Sequence, residues 1–361
     1  MEIVIIGAGP VGCYCAYLLA RSGHNVSIYE EHSKIGSPVQ CTGLLTSDFD
    51  QFAIPLKSFL INTFSEVEIN SPNVNVKIKQ KEYLVCRKKF DNHLANMAQN
   101  NGAEIHLNHS FIRKEGKYLV IRNVKDNYEF KIKPDVVIGA DGPMSKTANS
   151  YGFFHYQRKN LFGIQATVEG NFNKNQYKAF FGSEYSPGMF SWIVPESDQI
   201  ARVGLVAKKD AKKYFDLLMK KYDFKIKEMQ AGLIPLYHPR QKLKLDNCYL
   251  LGDASGFVKA TSFGGIIPGM KQAQILADCI NFRKNYDKET KKLRQRLWLH
   301  LKVRKVMDKL TVDEWDKLLM VAKSSSIKKV LESHTRENLF PIILKTITKE
   351  PKLIFLARYL I

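Results

Sequence analysis

The residues whose types and spacing could do chemistry begin at Gly7-Ala8-Gly9-Pro10-Val11-Gly12, a Gly-x-Gly-x-x-Gly run directly behind the β-branched stretch Ile3-Val4-Ile5-Ile6. That spacing suits the pyrophosphate of a dinucleotide. Gly7 permits a tight turn, Gly9 lets backbone amides approach phosphate oxygens, and Gly12 packs a helix close to a strand. Apolar residues follow at helical spacing from Cys13 to Ser22 before Gly23 ends the run, so a helix N-terminus would offer partial positive charge to the phosphates. Val26, Ile28 and Glu30 mark the next strand and bring a carboxylate to where ribose hydroxyls need an acceptor. Strand, turn, helix and acid stand in the right order. FAD and NAD share this signature, and the stretch alone does not choose between them.

The six cysteines, Cys13, Cys15, Cys41, Cys86, Cys248 and Cys279, show neither CxxC pairing nor disulfide density, which implies a reducing cytoplasm. Cys13 and Cys15 look like a ligand pair, but neighbours two apart on a helix point to different sides, so packing accounts for them and no metal site is expected. The chain enters a strand at once, which leaves no room for a signal peptide, and no apolar run approaches the roughly twenty residues of a spanning helix. A net charge of +20 on 361 residues calls for an anionic partner. The lysines are scattered among ordinary elements and not interleaved with an aromatic platform, so a membrane surface is favoured and nucleic acid is not expected.

The elements that must position these residues form two kinds of sheet. Pro134 to Gly142 and Asn247 to Asp253 each read as a buried strand running into a tight turn, suited to the sheet that carries the glycine run. Alternation at Val67, Ile69, Val74, Val76 and Ile78, the stretch Tyr83 to Arg87, and the aromatic stretch from 161 to 207 read as strands of a second sheet. Helices are expected over Phe90 to Asn100, Asp210 to Tyr222 and from about Ile267, and strands over Ala103 to Phe111, Tyr118 to Val124 and Tyr128 to Ile132. Val39-Gln40-Cys41-Thr42-Gly43 reads as a connection, and beyond residue 285 the chain reads as helical and very basic. The expected fold is α/β, a Rossmann-like dinucleotide-binding domain (1–50, 87–150 and 248–285) interleaved with a mixed β-sheet substrate domain (51–86 and 151–247), with a C-terminal helical region (286–361).

Four ordered motifs carry a resemblance. Gly7 to Gly12 with Glu30, Arg87 with Phe90 and Asp91, Gly139-Ala140-Asp141-Gly142, and Leu251-Gly252-Asp253-Ala254 with Gly264-Gly265 together resemble the FAD-dependent hydroxylase-like flavoproteins, to about residue 280. Within them, Pro187 to Pro195, with Phe190 and Trp192, resembles the aromatic-x-Trp-x-Phe-Pro motif of the geranylgeranyl reductase family, and the loop holding Cys41 resembles that family's cysteine loop beside the flavin. The resemblance implies FAD, held by Gly7, Gly9, Val11, Gly12, Glu30, Cys41, Thr42, Gly43, Arg87, Asp141, Gly142, Asp253, Gly264, Gly265 and Ile266, with Phe111 against the adenine. The chain departs from the pattern at Phe190, at Val194 and at Lys259-Ala260-Thr261-Ser262-Phe263, where the family has an Asn-Pro turn leading into three glycines.

What the resemblance implies for activity is reduction of isoprenoid double bonds, as in the archaeal members that saturate digeranylgeranylglycerophospholipids. Hydride passes from the reduced flavin to one alkene carbon and a proton to the other. Trp192 would line the prenyl channel, and Cys41 would relay the proton or simply fill its place. With no second Gly-x-Gly-x-x-Gly, electrons come from an external donor: ferredoxin, a reduced deazaflavin or NAD(P)H. An aromatic-hydroxylase-type monooxygenase and an inactive flavin- or lipid-binding protein are the alternatives. Apolar segments Leu339 to Leu344 and Leu353 to Ile361, set among Lys345, Lys349, Lys352 and Arg358, suit peripheral docking at the inner face of an anionic membrane or, alternatively, a cap on the core.

Overall fold

Four β-branched residues in a row lose rotamer freedom in a helix and pack well on a strand buried on both faces. Glu2–Ile6 is accordingly a central strand of a six-stranded sheet in the computed structural model, which describes residues 1–153 and 159–360. The sheet order is Lys244–Leu245, Cys248–Leu250, Val136–Gly139, Glu2–Ile6, Asn25–Glu30, Glu104–Leu107. All its pairings are parallel except that of Lys244–Leu245 with Cys248–Leu250. Helices Pro10–Arg21, Arg87–Gln99 and Ile266–Asn281 belong to the same unit, as does a three-stranded antiparallel sheet of His109–Glu115, Tyr118–Asn123 and Tyr128–Ile132. Phe111, Leu119 and Ile121 of that small sheet share a core with Val4, Ile6, Tyr29 and Val137.

The second unit is built on eight strands, in the order Lys225–Pro235, Asn160–Glu169, Ile200–Ala207, Phe190–Pro195, Gln176–Phe181, Leu60–Asn70, Asn75–Val85, Leu44–Thr46. Side chains alternate across such a sheet, and both faces here are apolar. Ile164, Ala166, Val203 and Leu205 pack on Phe215, Leu218 and Met219 of helix Ala211–Tyr222. On the other face Phe64, Val67, Ile78, Tyr177 and Val194 pack with Leu319 and Ala322 of helix Val312–Lys323. The compact units comprise Met1–Val39, Arg87–Asn160 and Pro235–Trp298, and Gln40–Cys86, Leu161–Ile234 and Leu299–Ile361. Strand pairing sets the finer limits: Leu44–Thr46 pairs with Asn75–Val85, which carries the Cys41 loop with the second unit.

Three sequence expectations change in detail. The stretch from Ala103 to Phe111 is two strands, not one, because Asn108 takes a left-handed conformation (φ 59°) and sends Glu104–Leu107 and His109–Glu115 into different sheets. Phe111 therefore lies within a strand and not at its end. The strand containing Tyr83 stops at Val85, and Arg87 opens the following helix. Ile361, the last residue of the apolar C-terminal segment, lies outside the described residues.

The C-terminal region is pinned to the second unit at two points. Arg336 pairs with the buried Glu82 (2% exposed), which also accepts from the Tyr177 hydroxyl at 3.0 Å. Further on, Arg358 and the Tyr359 hydroxyl both donate to Glu314, whose other oxygen accepts from the Thr311 amide at 2.9 Å in a capping box. The Tyr359 hydrogen bond, followed by the Thr311 cap, holds the Glu314 carboxyl down to about 2 from the ordinary 4.5. A carboxyl lowered on folding stabilises the folded state above its ordinary pKa and loses that contribution as the pH falls through the folded value. Hydrogen exchange over 351–360, corrected for intrinsic rate, is thus expected to speed up between about pH 5 and about pH 3. Glu314→Gln should exchange fast at both; an acid-insensitive tail would refute the pinning.

Candidate functional site: a two-helix dinucleotide cradle

The backbone of the glycine run leaves no room for side chains. Gly7 has φ 102°, and a Cβ there would meet the Ala140 carbonyl oxygen at 2.6 Å. A Cβ on Gly12 would lie 2.2 Å from the Gly7 oxygen. Gly9 caps helix Pro10–Arg21 with an extended conformation, and a Cβ there would meet nothing within 4 Å, so open space lies in front of the helix N-terminus. No acid occupies the first turn to compete with a phosphate. Glu30 sits at the strand end as expected, its Oε2 accepting from the Ala8 amide at 2.8 Å and its Oε1 from the His32 amide at 3.0 Å.

A second cradle faces helix Ile266–Asn281. Gly252–Ser255 is a 3-10 turn carrying Asp253, and Gly265 is the helix N-cap, where a Cβ would lie 2.7 Å from Asp253 Oδ1. Gly265 is therefore what lets Asp253 take its place. Gly264 is less crowded, a Cβ there lying 3.2 Å from the buried Lys259 side chain. Val11 joins the two cradles, since Cβ atoms on Gly252 and Gly269 would touch its methyls at 3.4 and 2.7 Å. Phe263 adopts a left-handed φ of 56°, which a bulky residue enters at a cost of about 1–3 kcal/mol. Its amide donates to the Lys259 carbonyl at 2.8 Å, closing the turn.

Other expected site residues have partners within their own unit or open space beside them. Arg87 makes a two-pronged ion pair with the buried Asp91 at 3.0 and 2.9 Å. At the start of the short helix Lys146–Ser150, whose N-cap is Ser145, the Asp141 carboxylate accepts from Ser145 Oγ at 2.5 Å and the Thr147 amide at 2.9 Å. Desolvation pushes its pKa up despite those bonds. Gly142 has φ 75° with open space at its Cβ position. Phe111, expected against the adenine, is 2% exposed and packs with Ile121 and Leu119 in the core.

Cys41, Thr42, Gly43 and Trp192 belong to the second unit. Thr42 Oγ1 donates to Gln165 at 2.8 Å, and Gln165 donates to Gln230 at 2.6 Å. Cys41 is half-buried, its Sγ accepting from the Gly43 amide at 3.4 Å. Trp192 lies against Gly204, and its buried Nε1 has no hydrogen-bond partner among the described residues. Its ring begins an aromatic row: Trp192 to Phe190 at 5.7 Å, Phe190 to Phe181 at 5.3 Å, Phe181 stacked on Trp315 at 4.9 Å.

Two organising residues escaped the sequence reading. Arg202, 7% exposed, donates to the carbonyls of Thr42 and Val85 while paired with Glu196 at 2.6 Å, and so fixes the Cys41 loop. Gln272 is fully buried and accepts from the Gly252 amide at 2.9 Å and Ser255 Oγ at 3.0 Å, fixing the second cradle. Arg202 was signalled as a lone charge inside an apolar run, whereas Gln272, between Lys271 and Gln274, had no such signal. Cys13 and Cys15 are buried with thiols pushed up by desolvation, as packing residues should be. No group of three metal-ligating side chains occurs among the described residues.

With open space at Gly9, two helices without an acid in the first turn, and Gly7, Gly12 and Gly265 where any Cβ would collide, the residues present fit a dinucleotide with a long tail. The fold and this site define an oxidoreductase of the flavoprotein class. Residues 5–50 match the NAD(P)-binding Rossmann-like domain. The chain is similar along nearly its whole length to the digeranylgeranylglycerophospholipid reductase of Methanocaldococcus jannaschii, 28% identical with 98% of this chain and 96% of that protein covered. In structure it resembles the geranylgeranyl bacteriochlorophyll reductase-like protein of Thermoplasma acidophilum (TM-score 0.83, 21% identity, 100% of this chain and 99% of that one). It also resembles the flavin-dependent halogenase CmlS (TM-score 0.69, 15% identity, 97% and 77%).

Proposed function

We propose that this protein is an FAD-dependent reductase that saturates the double bonds of geranylgeranyl chains in isoprenoid membrane lipids. The observation that carries the proposal is the similarity, spread along nearly the whole chain, to a reductase of such lipids. When bound, the reduced flavin supplies hydride. Gly9, the amides after Gly265 and the helix Pro10–Arg21 would hold its phosphates, Glu30 the adenine ribose and Asp253 the ribityl end. The second unit would take the prenyl chain along the row from Trp192 to Trp315, which excludes water from an alkene that is a poor hydride acceptor. Cys41, Thr42 and Gly43 are assigned to the flavin's surroundings on the resemblance alone. An external donor, ferredoxin, reduced deazaflavin or NAD(P)H, recharges the flavin. The exposed apolar and basic C-terminal segment supports peripheral contact with an anionic membrane facing the cytoplasm; no helix among the described residues is long and apolar enough to cross one.

The test is anaerobic. Flavin-loaded protein is reduced chemically, mixed with a geranylgeranyl lipid, and the lipid is expected to gain mass in steps of two hydrogens. Oxygen-dependent NADPH consumption with a hydroxylated product would instead establish a monooxygenase. Cys41→Ser is expected to lower turnover with flavin content unchanged, and Trp192→Ala to lower it further through prenyl binding. A Cys41→Ser rate equal to wild type at every pH ends the proton-relay role.

A further inference from the structure

Arg304, on helix Lys291–Met307, is 3% exposed, a rare placement for a guanidinium. Its Nε donates to Asp308 Oδ1 at 2.6 Å and its Nη2 to the Gly188 carbonyl at 2.8 Å, but its buried Nη1 finds no acceptor among the described residues. Burial lowers its pKa, which means the charge is held against desolvation. Lys208 shares the same acid, donating to Asp308 Oδ2 at 3.0 Å. Two cations thus divide one carboxylate, leaving a net positive charge and a guanidinium edge unfilled. The segment Gly182 to Gly188 ends at this pair, Gly188 giving its carbonyl to Arg304 and lying, at its Cβ position, 3.9 Å from Lys208 Nζ; its one acid, Glu184, is exposed and engages the Tyr185 hydroxyl. Both glycines are left-handed (φ 64° and 68°), and a Cβ on Gly182 would strike Trp315 at 2.8 Å. The segment therefore leads from the cation pair straight into the aromatic row through Phe181, Phe190 and Trp315.

A buried cation with a missing acceptor beside a row of aromatic rings matches a ligand that carries an anion on a long apolar chain. We propose that Arg304 and Lys208 form the receptor for the phosphate of a prenyl lipid, whose chain runs along Phe190, Phe181 and Trp315. This deepens the reductase proposal and rests on it for the prenyl chain. Two carriers of that phosphate are possible, a prenyl diphosphate and a phosphoglyceride, and the shared chemistry is a phosphate oxygen accepting from Nη1.

Equilibrium binding tests it on flavin-loaded protein at low salt, by tryptophan fluorescence, with geranylgeraniol, geranylgeranyl diphosphate and digeranylgeranylglyceryl phosphate as probes. At least one phosphate-bearing probe is expected to bind about tenfold or more tighter than the alcohol, the yield of one charge-assisted hydrogen bond; the tighter of the two identifies the carrier. Arg304→Gln should abolish the preference and leave binding of the alcohol unchanged. Should that variant fold poorly, Lys208→Gln, at a half-exposed position, decides: a reduced preference supports the site and an unchanged one overturns it. Equal binding of alcohol and phosphates by the native protein overturns the headgroup site while the prenyl proposal stands. Binding of none of the three overturns both.

Discussion

Gly12→Ala is expected to strip the protein of its dinucleotide and to lower its stability, whereas Gly9→Ala should strip it and leave the stability untouched. The contrast follows from what each new methyl meets. At Gly12 it would lie 2.2 Å from the Gly7 carbonyl oxygen and 3.2 Å from the Ala140 Cβ. Both belong to the backbone or to a side chain without rotamers, so helix Pro10–Arg21 must move off the sheet. Overpacking of this kind costs about 1–3 kcal/mol and sometimes more. At Gly9 the backbone is extended (φ −67°) and the methyl meets nothing within 4 Å. Alanine is therefore free to fold there, and only a pyrophosphate pressed against the helix N-terminus could object to it. Thermal unfolding of the apoproteins and FAD titration separate the two effects. Gly9→Ala should match the native apoprotein in Tm and bind FAD at least about tenfold more weakly, the loss of one charge-assisted contact. Undiminished FAD affinity in Gly9→Ala would place the phosphates elsewhere.

Why these glycines were legible in the sequence, and the partners of Phe111 and Asp141 were not, comes down to the range of the forces. Gly7 and Gly12 answer a demand made within one turn, and Glu30 one made by the adjacent strand, so local spacing reveals them. The interleaved fold class was legible on the same ground, from buried strands that end in tight turns. The burial of Phe111 was not legible because its partners Val4, Tyr29 and Val137 come from three other strands, and nothing near Phe111 announces them. Asp141 resembles a ligand in the motif, and Ser145 and Thr147, four and six residues on, donate to it. Arg202 shows the same limit from the other side. A charge inside Ile200–Ala207 could be read as an exposed edge, and only the loop brought back from Thr42 explains its burial.

The second large effect is expected from the C-terminal segment, where exposure bears residue by residue on the choice between core and membrane. Arg336 on Glu82 and Arg358 on Glu314 fasten its two ends to the second unit. Between them helix Leu339–Lys349 has no buried residue at all. Phe340 and Leu344, one turn apart on a shared face, are 64% and 52% exposed, and Ile354 is 59% exposed. A core cap would hide these side chains; this segment fastens itself by its charges and leaves Phe340, Leu344 and Ile354 outside. Lys345, Lys349 and Lys352 lie along it. Burial of a large apolar side chain yields about 1.5–3 kcal/mol, and each lysine near an anionic surface about 1 kcal/mol. Two apolar anchors and three lysines together suffice for reversible docking, with the electrostatic share lost in salt. Phe340→Ser combined with Leu344→Ser is therefore expected to abolish sedimentation with anionic liposomes at low salt, while Tm and flavin content stay native because no buried contact is removed. High salt should release the native protein. A double variant that unfolds would show the two side chains to be core, and a native protein that ignores anionic liposomes at every salt would leave its lipid to be delivered by a carrier.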